Sequence, residues 1–110
     1  KDRTPKKMKT KALSMAISQR ISEDSVFVID GTGFEAPSTK LAVSSIEEFG
    51  IKKSFTFVYS DGDENLYKSF RNIKESRLVS VKKLAAIDVI STDDTIFSTN
   101  AMSRFLGEDL

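Results

Sequence analysis

The stretch Phe55-Thr56-Phe57-Val58-Tyr59-Ser60-Asp61-Gly62-Asp63-Glu64-Asn65-Leu66-Tyr67-Lys68-Ser69-Phe70-Arg71-Asn72-Ile73 decides the architecture. Its first five residues are all aromatic or β-branched and show no polar alternation, the pattern of a short strand covered on both faces. Asp61-Gly62 supplies turn chemistry, and a helical pattern follows over 63–73. Three further runs repeat the strand signal: Val26-Phe27-Val28-Ile29, Leu78-Val79-Ser80-Val81 and Thr95-Ile96-Phe97. Helical patterns occupy about 38–49, 83–91 and 99–107. Strand and helix in alternation predict right-handed βαβ crossovers and a parallel sheet. The expectation is a three-layer α/β/α domain with about four parallel strands, spanning 1–110 as one unit. No stretch reads as a linker, a heptad array or a low-complexity tract.

Upstream lies Arg3-Thr4-Pro5-Lys6-Lys7-Met8-Lys9-Thr10-Lys11-Ala12-Leu13. Thr4 is a good N-cap and Pro5 a good first helical residue, so a helix is expected over about 4–21. At about 100° per residue, Met8, Ala12, Leu13, Met15, Ala16, Ile17 and Ile21 spread over a broad apolar face. Lys7, Lys11, Ser14 and Ser18 fall on the opposite stripe, long cations followed by small hydroxyls against which a phosphate backbone can pack. The net charge is only +1, yet Lys1, Arg3, Lys6, Lys7, Lys9 and Lys11 face Asp2 alone at the start. A near-neutral body with a basic end suits attachment to a polyanion along one edge. A solvated helix face accounts for the same residues.

With 110 residues and 39% apolar content the chain can bury one core. It has no cysteine and no histidine, which removes disulfides, thiol nucleophiles, imidazole bases and Cys/His zinc sites. No apolar run reaches the roughly 18 residues a membrane span needs, and no secretory pattern opens the sequence; a cytosolic protein is expected. Val28-Ile29-Asp30-Gly31-Thr32 is similar to the Asp-x-Asp-Gly-Thr motif of haloacid-dehalogenase phosphatases, but Val28 holds the nucleophile's place. Asp61-x-Asp63-x-Asn65 opens like an EF-hand loop, yet Leu66 and Asn72 stand where the glycine and the bidentate glutamate belong. Gly31-Thr32-Gly33 is too short for a dinucleotide fingerprint, and Pro37 delays the next helix. Asp30, Asp61 and Asp63 at strand ends leave a second reading open, a metal-dependent doubly wound hydrolase or a receiver-like domain. Tight βα turns explain the same residues more simply.

Several phrases, in order along the chain, resemble the bacterial large-subunit ribosomal protein L-four family. Pro5-Lys6-Lys7-Met8 with Ala12-Leu13-Ser14-Met15-Ala16-Ile17-Ser18 is similar to that family's helix after its long loop, and Pro37-Ser38-Thr39-Lys40 to its Pro-x-Thr-Lys helix start. Asn65 to Ile73 resembles its helix ending in Arg-Asn-hydrophobic, while Ile87-Asp88-Val89-Ile90 and Asp94-Thr95-Ile96-Phe97-Ser98 resemble its closing segment. Leu84-Ala85-Ala86-Ile87-Asp88 departs from the family's usual Asn-x-Tyr-Asp. The family's N-terminal strand and long glycine- and arginine-rich extension have no counterpart here, so lining of the peptide exit tunnel is not implied. The resemblance implies an α/β body in the cytoplasmic ribosome that binds large-subunit ribosomal RNA, supports its assembly and touches neighbouring ribosomal proteins. It implies no catalysis, cofactor, metal, membrane or small-molecule substrate. Its cations place Arg3, Lys6, Lys7, Lys9, Lys11, Arg20, Lys40, Lys68, Arg71 and Asn72 at or near RNA, through contacts that give salt-dependent affinity and recognition of RNA shape. For Arg71-Asn72, a helix-terminal cation beside an amide cap is an equal alternative.

Overall fold

The computed structural model describes residues 6–108. Helix α1 (Lys6–Ser22) leads into β1 (Val26–Ile29), followed by α2 (Thr39–Phe49), β2 (Phe55–Tyr59), α3 (Glu64–Phe70), β3 (Ser76–Ser80), α4 (Ala86–Ile90), β4 (Asp94–Ser98) and α5 (Thr99–Glu108). Single 3-10 turns sit at Gly31–Gly33 and Val81–Lys83. All strand pairs are parallel and the sheet order is β1-β4-β2-β3. The two steps from β1 to β2 and from β2 to β3 advance in one direction, with α2 and α3 on one face. The return from β3 to β4 carries α4 over the other face, as one hand of crossover requires. This is the three-layer α/β/α architecture expected from the alternation of strand and helix.

Residue alternation along the strands divides the core between the two faces. Phe55 and Phe57 of β2, Ile96 of β4 and Ile29 of β1 meet Ala42 of α2 and Leu66 and Phe70 of α3. Val58 and Phe97 point the other way, onto Ile17 of α1, Val89 of α4 and Ala101 of α5. Phe57 and Phe70 stack with centroids 4.5 Å apart at 8°, and Phe55 meets the same Phe70 edge-on at 6.1 Å. Aromatic rings in these geometries add attraction beyond their burial.

Local chemistry sets the helix ends. Ser38 accepts a hydrogen bond from the Leu41 N–H at 3.2 Å to open α2, and its own N–H donates to Ser69 Oγ at 2.7 Å, tying α2 to α3. Gly50, at φ 78°, closes α2, while the Ile51 N–H reaches back to the Ile46 carbonyl; only glycine enters this left-handed region without strain. At α1 that position falls to Asp24, φ 58°, with the Ser25 N–H on the Arg20 carbonyl.

Three elements differ by more than a residue from the sequence reading. β3 begins at Ser76 rather than 78, because Ser76 and Arg77 pair with Phe55 and Thr56; β3 is an edge strand, so polar residues are tolerated there. The helix expected over 63–73 stops at Phe70, where the Ile73 N–H turns back to the Phe70 carbonyl. The one expected over 83–91 splits into the Val81–Lys83 turn and the short α4. Helix α1 also buries less than its composition suggests. Ile17 is buried and Leu13 and Ala16 pack beside it, whereas Met15 and Ile21 are 64% and 54% exposed. No helix among the described residues is long and apolar enough to cross a membrane.

Candidate nucleic-acid interface

The Asp61–Ile73 phrase acts first as internal carpentry. Gly62 takes φ 92° in the turn after β2, which aims the Asp63 carboxylate back under the sheet's carboxyl end. There Oδ2 accepts from the Ser60 N–H at 2.8 Å and from Ser98 Oγ at 2.5 Å, and Oδ1 from Asn100 Nδ2 at 2.9 Å. One buried carboxylate thus joins the turn after β2 to the start of α5. Asn65 Nδ2 donates to the Phe34 carbonyl at 2.8 Å, fastening the loop after β1 to α3. Ser69 Oγ donates to the Asn65 carbonyl and accepts from Ser38. Leu66 and Phe70 are core residues, and Tyr67 packs on Tyr59 at 4.9 Å. Lys68, Arg71 and Asn72 remain exposed.

Asp63→Ala would strand the Ser60 N–H and the Ser98 hydroxyl in a buried place and release the exposed Asn100 amide. We expect it to cost about 2–4 kcal/mol, since each buried donor left unsatisfied costs about 1–3 kcal/mol. Asp61→Ala, at an exposed ion pair, should change stability little. Urea unfolding of both variants at neutral pH checks this: equal midpoints would show that Asp63 is not the brace.

The three strand-end carboxylates do not gather into one site. Asp63 is spent on the brace, and Asp61 points outward to Lys82 Nζ at 3.0 Å. That hydrogen bond and charge hold the Asp61 carboxyl below its ordinary value, so the pair forms above the usual carboxylate range and is lost as pH falls through the lowered value. Asp30 is exposed at the end of β1. No cluster of three or more acidic, histidine or cysteine side chains suited to a metal occurs among the described residues.

The cations expected at RNA fall on both sides of the sheet. Lys6, Lys7, Lys9, Lys11 and Arg20 belong to α1, while Lys40 opens α2 and Lys68, Arg71 and Asn72 lie on or just after α3. Since α1 covers the face opposite α2 and α3, no single surface presents all of them. Arg3 lies outside the described residues. Lys11 and Ser18 are exposed and Ser14 is half-buried, so these members of the lysine–serine stripe lie along the outer side of α1. Arg20 is committed inward. Its guanidinium donates to the Thr92 carbonyl at 3.0 Å and to the Ile90 carbonyl at 3.5 Å, and pairs with Glu23 at 3.3 Å. It also faces Asp94, whose carboxyl is raised above its ordinary value, first by burial and then by the neighbouring charge of Asp93, with Arg20 acting in the opposite sense.

Arg20 sits in the last turn of α1 beside the amino end of β4, so the helix runs antiparallel to the strands. Nine residues at about 1.5 Å per residue separate Arg20 from Lys11, about the length of a four-residue strand. The lysine-rich turns therefore reach the sheet's carboxyl end, where Lys82 and Lys83 are also exposed. Only Lys83 falls within the helix that the sequence predicts over 83–91; two adjacent cations directly after a strand were the available signal for the pair.

A doubly wound α/β body emerges, with one of its strand-end acids, Asp63, committed to the frame and lysine-rich opening turns on the outer helix α1. Residues 1–107 match the sequence model of the Ribosomal protein L4/L1 family. The chain is 37% identical over 108 residues to the large ribosomal subunit protein uL4 of Frankia casuarinae, covering 97% of this chain and 44% of that protein. It is similarly 37% identical to uL4 of Corynebacterium kroppenstedtii (94% and 48% coverage) and 31% identical to that of Clostridium botulinum (91% and 48%). The chain belongs to the Ribosomal protein L4/L1 family. It spans a little under half the length of these relatives.

Proposed function

We propose that this chain is a single-domain structural element of the large ribosomal subunit, binding large-subunit ribosomal RNA and supporting its assembly, with no reaction of its own. Family membership over residues 1–107 carries the reading, together with the relatives' name, large ribosomal subunit protein uL4. The outer side of α1 suits the role chemically: lysines exchange counterions at phosphates, and the small Ser14 and Ser18 allow close approach of a backbone. Lys40, Lys68, Arg71 and Asn72 on the other face would reach a second RNA segment or a neighbouring ribosomal protein. The place of action is then the cytoplasmic ribosome, and neither a cofactor nor a small-molecule substrate enters. Hydrolysis at Asp30, Asp61 and Asp63 is the weaker reading, because the three do not form one cluster and Asp63 is committed to the brace.

The test is addition of the protein to ribosomal particles and to deproteinised ribosomal RNAs. Co-sedimentation with large subunits is expected, along with tighter filter retention of large-subunit than small-subunit RNA. Absence of both, or a magnesium-dependent phosphatase activity abolished by Asp30→Ala, would overturn the proposal.

A further inference from the structure

We infer that the open edge of β1, with the groove beside it, is a docking site for a basic, extended segment of another protein. Among the described residues β1 pairs only with β4, so its outer edge presents backbone N–H and C=O groups to whatever lies alongside. Such an edge is a template for one more strand. Beside it, between β1 and α2, runs an open groove of about 740 Å³. Val28 and Leu41 line it at 44% and 42% exposure, large apolar side chains left in water, with Phe49 at its base. Its polar rim is acidic: Asp30, Glu47 and Glu48 line it, and no lysine or arginine does. Neither Glu47 nor Glu48 has an ion pair among the described residues.

These features select the occupant. Phosphates are repelled by an acidic rim, so nucleic acid is disfavoured at this groove even if α1 binds it elsewhere. A second copy would have to offer a basic strand. The other open edge, β3, contains Arg77 as its only cation, and Arg77 is bonded to Asp88 at 2.9 Å. A segment alternating cations with aliphatic side chains fits this arrangement: its backbone pairs with β1, its cations on one face meet Glu47 and Glu48 of α2, and its aliphatic side chains on the other face extend the apolar surface at Val28. Complementary charge of this kind sets partner choice and encounter rate.

The probe is a short fluorescent peptide of alternating lysine and valine, titrated into the protein by anisotropy beside its glutamate–valine counterpart. Binding of the lysine peptide alone is expected, with amide shifts in ¹⁵N spectra centred on β1. Glu47→Lys combined with Glu48→Lys should weaken it by about tenfold or more, a difference of about 1.4 kcal/mol. Leu41→Lys is a second, independent exposed substitution that should also weaken it, and circular dichroism verifies that each variant is folded. No binding, equal binding of both peptides, shifts centred on β3, or an affinity unmoved by both variants would overturn the inference. Amide shifts centred on β1 on adding a structured RNA in place of the peptide would do so in favour of nucleic acid. A concentration-dependent dimer abolished by Leu41→Lys would do so in favour of a second copy. RNA affinity measured on the same samples reports on α1, so either reading can fail without the other.

Discussion

Phe57→Ala is expected to lower the unfolding free energy by about 3–5 kcal/mol, a large share of the roughly 5–15 kcal/mol available to a domain. Phe57 is fully buried on a strand flanked by β4 and β3, so neither neighbour can swing away to refill the space. Its register partners are Ile96 and Leu78, and the flat stack on Phe70 would be lost with the ring. Phe70 itself bridges Phe57, Phe55 and, at 6.5 Å, Phe34, so the cavity would open at the centre of an aromatic cluster. Val28→Ala on the open edge removes a partly exposed side chain and should shift stability by no more than about 0.5 kcal/mol. Paired urea melts decide the matter. Equal midpoints for the two variants would mean that β2 is not the packed centre of the sheet.

The sheet was legible because it rests on composition. Parallel strands buried on both faces must be continuously apolar, and Phe55–Tyr59 could be little else. Side-chain hydrogen bonds left a fainter trace. Asp61 and Asp63 lie two apart in sequence, yet one points to solvent and the other braces three segments, because the left-handed Gly62 lies between them. Asn65 passes for an exposed helical polar residue until the Phe34 carbonyl arrives from a loop 31 residues away. Nor does periodicity reveal how wide a face will be covered. Among the described side chains of α1, Leu13, Ala16 and Ile17 pack into the core while Met15 stays in water. Arg20 shows why charge alone cannot assign an RNA contact. In sequence it continues the basic character of α1, but its bonds run to carbonyls some 70 residues away.

That difference sets up the second large effect. Replacing Lys6, Lys7 and Lys11 together by Ala should reduce the slope of log affinity against log salt by about 3, since each phosphate contact contributes about 0.9. At physiological salt the same loss amounts to about a hundredfold in affinity. Folding should hardly change, because Lys11 is exposed. Arg20→Ala should behave in the opposite way. Removing a cation that ties α1 to the Ile90 and Thr92 carbonyls should cost about 1.5 kcal/mol of stability, with a salt slope close to that of the parent. Arg71→Ala, at an exposed helix end on the other face, should lower the slope by at most about one unit and leave the urea midpoint in place. Filter-binding across a salt series, run beside urea melts, separates the three. If Arg20→Ala flattened the slope while the triple lysine variant kept it, the RNA would lie along the last turn of α1, and the basic ridge at the sheet's carboxyl end would be an ordinary solvated face.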